Sequence, residues 1–169
     1  MPGGYTVSDF QKAIRALPQE GLEESATALV RALESAGEHR EEYWDHHVKP
    51  FWDDVWPKSL QLASTSLAEV LARLCIAAQG RFPAALDDVF DWLKPFEEPM
   101  FVIHSLRESG LSKRFPEDAL RLLDAIIEDQ PWASSEVGDC LNQIVQEKPE
   151  LKSDLRYQRL QDYVRRYGT

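Results

Sequence analysis

The stretch RFPEDALRLLDAII, residues 114–127, repeats a pattern already present in RFPAALDDVFDWL at residues 81–93. Both stretches open with Arg-Phe-Pro and continue with apolar residues at the three- and four-residue spacing of an amphipathic helix. Pro83 and Pro116 fall in the first turn, where a helix tolerates proline because the missing N–H has no helical partner there. The two stretches therefore predict two equivalent helices.

Each predicted helix is followed by a proline-containing turn and a second amphipathic segment. A helix pair that recurs at a period in the thirties is typical of HEAT and tetratricopeptide arrays. A compact irregular helical bundle with similar loops fits the same spacing. Because no stretch alternates like a strand, either arrangement predicts an all-α fold of about eight helices.

The apolar spacing places particular side chains on the inner side of two later helices. The segment over residues 100–110 follows the first Arg-Phe-Pro helix, and a last helix follows Pro149. Both segments are predicted to be amphipathic helices, and an apolar side of such a helix faces the core. These side chains are Phe101, Ile103 and Leu106 in the first segment and Leu155, Leu160 and Tyr163 in the last.

The length of the chain, 169 residues, suits one domain with its own hydrophobic core. Residues 8–169 are predicted to form this single helical domain. Within it, N-terminal helices over residues 8–57 precede helical hairpins over residues 58–169. Residues 1–7, MPGGYTV, are expected to be a flexible start or a remnant of an expression vector.

The balance of charge limits the classes of partner. The chain carries 29 acidic residues against 19 lysines and arginines, a formal net charge of −10. Binding to a nucleic-acid backbone needs cations that neutralise phosphates, so this balance disfavours nonspecific nucleic-acid binding. Four arginines of the last helix are either its usual cationic end, favoured by the helix dipole, or a contact for nucleic acid or a partner. They are Arg156, Arg159, Arg165 and Arg166.

Several other classes of protein are disfavoured by what the sequence lacks. No apolar run approaches the roughly 20 residues that a membrane-spanning helix needs. Cys75 and Cys140 have no nearby cysteine partner, which argues against a disulfide scaffold and a zinc–thiolate site. No glycine-rich phosphate loop is present. We therefore expect a cytoplasmic protein with no membrane contact and no cofactor.

The segment HREEYWDHHVKPFWDDVWP, residues 39–57, has an aromatic side when it is placed on a helix. Trp44, Val48 and Phe51 recur at spacings of four and three residues, which forms an apolar stripe. The tryptophans carry too much aromatic area to leave in water. They form either a packing hub between the N-terminal helices and the repeats or an anchor patch for a protein partner. These tryptophans are Trp44, Trp52 and Trp56.

The opposite side of the same segment is polar and carries His39, Glu42, His46 and Asp53. Imidazole and carboxylate groups bind zinc and other transition metals, so one hypothesis is a metal-dependent enzyme that uses these four residues. The alternative is a solvated helix face. One straight helix cannot bring ligands two turns apart tightly around one ion, and we favour the solvated face.

Pro50 lies inside this segment and constrains its backbone. Proline removes one helical hydrogen bond and disfavours helical geometry at Lys49, the residue before it. The sequence therefore predicts either a kinked helix or two helices that meet at Lys49–Pro50.

YWDHHVKPFWDDVWPKS, followed by RFPAALDDVFDWL, LRESGL, RFPEDALRLLDAII and PWASSEVGDCLNQI, resembles the helical C-terminal regions of certain large bacterial proteins. Those proteins carry an enzymatic or ATPase module at the front, in some cases sirtuin-like, and many belong to antiphage defence systems. The likeness covers roughly residues 43–163. It implies a sensor, assembly or scaffold domain and gives this region no catalytic residues.

Together, the residues and the resemblance favour a non-catalytic helical-repeat module of a larger bacterial protein. The expected partner is another protein or a second copy of the chain, contacted through the tryptophans of the 39–57 segment. The metal-dependent enzyme is the alternative, and nucleic-acid binding by the last helix is a weaker third hypothesis.

Overall fold

The computed structural model describes residues 19–50, 52, 65–96, 98–128 and 134–167. These residues form helices and turns and contain no strand, which confirms the predicted all-α fold. Some of the sequence predictions lie outside the described residues. They concern residues 1–7, Asp53 and Trp56.

Contacts within the chain divide it into two compact units, residues 1–92 and residues 93–169. The sequence predicts a division after residue 57 within one domain, whereas the contacts separate the chain after residue 92. Each unit contains one of the two Arg-Phe-Pro stretches, and each stretch forms a helix with proline in its first turn. The array of repeated hairpins stays a prediction.

Among the described residues of unit 1, residues 1–92, the most extensive packing is that of helix Gln19–Ala36 against helix Thr65–Ala77. Ala26, Val30 and Leu33 lie on one side of the first helix at helical spacing and are buried. Short 3-10 turns at Gly37–His39 and Gln79–Arg81 join the helices. The helices are α1 (Gln19–Ala36), α2 (Arg40–Tyr43), α3 (Thr65–Ala77) and α4 (Phe82–Val89).

The chain continues from α2 into a π-helical turn, Trp44–Val48. The amide of Lys49 donates to the carbonyl of Trp44, five residues back. Pro50 accounts for this widened turn, because it has no N–H to continue the ordinary four-residue pattern. Lys49 keeps helical backbone angles, φ −54° and ψ −40°, so the described backbone continues through it as a helix.

Unit 2, residues 93–169, is arranged around one long helix that contacts all of its other helices. Val137, Cys140, Leu141 and Ile144 form the buried side of this central helix. Gly110, in the left-handed conformation at φ 76°, ends the first helix of the unit. The helices are α5 (Met100–Ser109), α6 (Leu111–Arg114), α7 (Pro116–Ile126), the central α8 (Ser134–Glu147) and α9 (Leu155–Tyr167).

Arg159 of α9 closes the C-terminal end of α7. Its Nε donates to the Asp124 carboxylate at 2.9 Å, and its Nη2 donates to the carbonyls of Asp124 and Ile127 at 2.9 and 3.0 Å. The last carbonyls of a helix have no helical partner, so a cation that donates to them stabilises the helix end. Arg159 therefore fixes α9 against α7 within unit 2.

In the part of the chain that the structure describes, every helix is too short or too polar to cross a bilayer.

The start of α9 gives a prediction about pH. The Asp154 carboxylate accepts the Arg156 backbone N–H at 2.8 Å and two bonds from the Arg156 guanidinium. The guanidinium bond is the main reason why the pKa of Asp154 falls from 3.8 to about 2. A lowered pKa stabilises the fold above the ordinary pKa, and this stability is lost as the pH falls through 3.8 towards 2.

We expect Asp154→Ala to lower the free energy of unfolding by about 1 kcal/mol near neutral pH, the usual cost of losing a helix N-cap. The difference from wild type should shrink at about pH 2.5, because the wild-type carboxylate is then partly protonated. Urea denaturation at both pH values measures this. A difference that is the same at both values would contradict the assigned role of the carboxylate.

Candidate functional site

The described residues 39–50 and 52 belong to the segment that we call the Trp-rich helix. The polar side of this helix is exposed in the structure. His39, Glu42 and His46 are all exposed, and the side chains of His39 and Glu42 are each 71% accessible. His39 Nδ1 lies 3.8 Å from Glu42 Oε2, and the Tyr43 and His47 rings lie with their centroids 4.8 Å apart. With Ala36, these side chains line a shallow depression of about 220 Å³. We call this surface the histidine face.

The arrangement on the histidine face is that of a solvated helix surface. Tetrahedral zinc requires its nitrogen and oxygen donors at about 2.0–2.2 Å from one point. Among the described residues, no group of three histidine, cysteine or acidic side chains is placed to hold a metal ion. Asp53, the fourth predicted ligand, lies outside those residues, so the four-residue set stays a prediction.

The aromatic side of the same helix is buried. Trp44 is 3% exposed and Trp52 is 0% exposed, and their ring centroids lie 5.2 Å apart. Trp52 Nε1 donates to Asp88 Oδ2 of α4 at 2.9 Å. The hydrogen bond satisfies the polar atom of a ring that is otherwise removed from water. Neither ring therefore offers surface to a partner in this structure, although both are predicted anchors, and Trp56 lies outside the described residues.

A bidentate ion pair joins the Trp-rich helix to the residue before α4. Arg81 donates to both carboxylate oxygens of Asp45, at 2.9 and 2.8 Å, and its Nη1 lies 3.8 Å from Glu41. The bond from Arg81 is the main reason why the pKa of Asp45 is lowered. This pair and the Trp52–Asp88 bond each connect residues 36 positions apart, so no local pattern in the sequence could have indicated them. Together they join the Trp-rich helix to α4 and to the residue before it.

Two large apolar side chains lie in solvent, against the sequence prediction. Phe101 of α5 is 66% exposed and Leu155 of α9 is 80% exposed. The sequence prediction placed Phe101 on the apolar side of α5 and Leu155 on the apolar side of α9. Both placements are wrong. The other members of those sides are buried as predicted. They are Ile103, Leu106, Leu160 and Tyr163.

The helical geometry explains the exposure of Phe101. At about 100° per residue, the buried Val102, Ile103 and Leu106 fall near 100°, 200° and 140° from Phe101. Phe101 therefore lies roughly 150° from the middle of the buried side. A helical wheel drawn for α5 as a whole would have found this residue.

Leu155 is exposed for the same reason. The buried Tyr157, Leu160 and Tyr163 fall near 200°, 140° and 80° from it, again at about 100° per residue. Leu155 thus stands on the outer side of α9. Phe101 and Leu155 are the large apolar side chains that lie exposed among the described residues.

The arginines of α9 are largely engaged within their own unit. Arg156 pairs with Asp154 at 2.8 Å, Arg159 pairs with Asp124 at 2.9 Å, and Arg166 lies 3.4 Å from Asp162. Phosphates would have to compete with these carboxylates. The pairing favours the interpretation of these arginines as an ordinary basic helix end over a nucleic-acid contact.

Both cysteines are free and buried, as expected for core residues. Burial raises the pKa of Cys75 well above its ordinary value and raises that of Cys140 to about 11. A nucleophilic cysteine requires the thiolate. At neutral pH both side chains are therefore protonated thiols that pack in the core.

Comparison with known proteins gives one relative and no family. The chain is 25% identical over 130 residues to an uncharacterized protein, y4cA, of Sinorhizobium fredii. The match covers 75% of this chain but 11% of that protein, so the chain spans about a tenth of the relative's length. No protein-family profile matches the chain, and no solved structure matches it.

The solvated character of the histidine face gives a prediction about metal. The double variant His39→Ala, His46→Ala should change the free energy of unfolding by no more than about 0.5 kcal/mol, with or without added zinc, because both side chains are exposed. Mass spectrometry of the purified native protein for metals should find far less than one ion per chain. One zinc, manganese or iron per chain that disappears in the double variant would instead establish the metal site.

The burial of Trp52 gives a prediction about stability. Trp52→Ala should cost about 3–5 kcal/mol in unit 1, the range for truncating a buried aromatic ring. Trp52→Phe, the matched control, should cost clearly less, because it keeps most of the ring while removing the donor to Asp88. Chemical denaturation measures both. A cost below about 1 kcal/mol for Trp52→Ala would show that the ring does not support the fold.

Proposed function

We propose that this chain is a non-catalytic helical-repeat module that binds a protein partner, as a scaffold or sensor domain. We further propose that it works within a longer cytoplasmic bacterial protein of the phage-defence type. The relative from Sinorhizobium fredii supports the idea that the module belongs to a longer protein, because the similar segment makes up 11% of that relative. The resemblance of the Trp-rich and Phe-Pro segments to C-terminal regions of defence proteins supports the idea that this longer protein is of the phage-defence type.

The exposure of Phe101 is the observation that carries the proposal. Its neighbours Val102, Ile103 and Leu106 are buried, so α5 is held firmly while the phenyl ring points outward at 66% exposure. An aromatic ring on a rigid helix loses little conformational freedom when it binds, and aromatic residues supply many binding hot spots. Phe101 therefore takes the anchor role that the sequence predicted for the tryptophans.

The polar surroundings of Phe101 fit the rim of a protein interface. His104 Nδ1 lies 3.0 Å from Glu136 of α8, and Arg107 Nε lies 3.1 Å from Asp139 of the same helix. The Arg107–Asp139 ion pair and the His104–Glu136 contact join α5 to α8. An apolar anchor with a polar, solvated rim is the usual anatomy of a protein–protein contact.

The test compares the full protein, purified from its own bacterium, with its Phe101→Ser variant. Wild type should carry a stoichiometric protein partner, and the variant should lose it without a change in thermal stability, because the ring is exposed. Glu108→Gln is the matched control on the outer side of α5, and it should keep the partner. A partner retained by Phe101→Ser, or the absence of any stoichiometric partner, would contradict the proposal.

A further inference from the structure

The outer side of α9 carries four residues in a regular stripe. Leu155, Arg159, Asp162 and Arg166 follow one another at spacings of four, three and four residues, which places them on one side of a helix. Leu155 is 80% exposed, and the Asp162 side chain is 62% exposed. The opposite side of α9 is fixed in unit 2 by buried side chains. These are Tyr157, Leu160 and Tyr163.

The spacing of the stripe is the same when it is read in either direction. A second copy of α9 can therefore lie antiparallel beside the first, related to it by a twofold axis between the two helices at the level of residues 160 and 161. In that arrangement the stripe of one helix faces the stripe of the other. Leu155 then faces Arg166 of a second copy, and Arg159 faces Asp162 of that copy. From this self-complementary pattern we infer that α9 is a homotypic contact, which pairs antiparallel with α9 of a second copy of the chain.

The chemistry of the facing residues suits this pairing. Two cross-helix ion pairs would join Arg159 and Asp162, and the apolar Leu155 would cover the methylene stem of Arg166. The contacts of Arg159 to Asp124 and to the α7 carbonyls use Nε and Nη2. A guanidinium has five N–H donors, so Arg159 can donate from Nη1 to Asp162 of the second copy while it keeps these contacts.

Two features set the strength of the contact. The stripe from Leu155 to Arg166 is roughly 16 Å long, so a pair of such helices buries less than the roughly 800 Å² per partner of a stable dimer. Asp162 also lies 3.4 Å from Arg166 of its own helix, so Arg159 of the second copy has to compete with this contact, which lowers the affinity. We therefore expect weak association, which a longer assembly with several copies would strengthen through high local concentration.

This inference goes beyond the proposed function, because it adds a contact between two copies of the chain to the partner bound through Phe101. It uses α9, whereas the test of the proposed function uses Phe101 on α5. If the wild-type protein is monomeric and binds a different protein that the Phe101→Ser variant no longer binds, only the inference is overturned. A self-associating protein with no Phe101-dependent partner would support the inference and overturn the proposal of a separate partner.

Sedimentation equilibrium from about 10 μM to about 1 mM tests the pairing, because a small interface gives a dissociation constant within or near that range. Wild type should show a reversible monomer–dimer equilibrium. Asp162→Arg should raise the dissociation constant roughly tenfold or more, because it places arginine against arginine, and Leu155→Arg should raise it for the same reason, because Leu155 faces Arg166 of the second copy. Phe101→Ser is the control and should leave it unchanged. A monomer at every concentration, or a dimer broken only by Phe101→Ser, would overturn the inference.

Disulfide trapping tests the register. Wild-type thiols are buried, so introduced cysteines report only on the surface. A mixture of Leu155→Cys protein and Arg166→Cys protein should form mixed disulfide dimers faster than either protein alone. Circular dichroism checks that each variant is folded. Equal rates for the mixture and for the separate proteins would overturn the antiparallel register.

Discussion

The buried indole of Trp52 is the feature on which the account of unit 1 depends. The N–H of a buried indole usually has a hydrogen-bond partner, and here Asp88 of α4 accepts that bond at 2.9 Å. Arg81 and Asp45 add a bidentate ion pair at the edge of the same contact. With the aromatic side turned inward, the histidines of the helix face solvent.

Unit 2 has a different organising element, the central helix α8. Helices α5, α6, α7 and α9 all contact it, and Arg159 ties the end of α7 to α9. This arrangement holds α5 and α9 so firmly that their outer sides can carry Phe101 and Leu155 in water without loss of order. The functional proposals belong to these outer sides, because a rigid helix presents an anchor at low entropic cost.

Helical periodicity and proline placement were enough to predict the all-α fold and the first-turn prolines of α4 and α7. Two kinds of information were missing. Contacts between residues 36 positions apart, such as Arg81 with Asp45, leave no local trace in a sequence. The sequence prediction grouped Phe101 and Leu155 with the apolar sides of their helices by residue type, although both lie roughly opposite the buried residues of those helices. In these two helices, the position of a residue around the helix axis determines its burial more than its residue type does.

Hydrogen–deuterium exchange of the indole N–H groups, followed by NMR, tests the central claim most directly. The account predicts that the Trp52 indole N–H, buried and bonded to Asp88, exchanges orders of magnitude more slowly than that of an exposed tryptophan. Replacement of Asp88 by alanine should speed this exchange, whereas replacement of the exposed Asp87 should not. Exchange of Trp52 at the rate of free tryptophan in the wild-type protein would contradict the claim that the aromatic side of this helix faces protein.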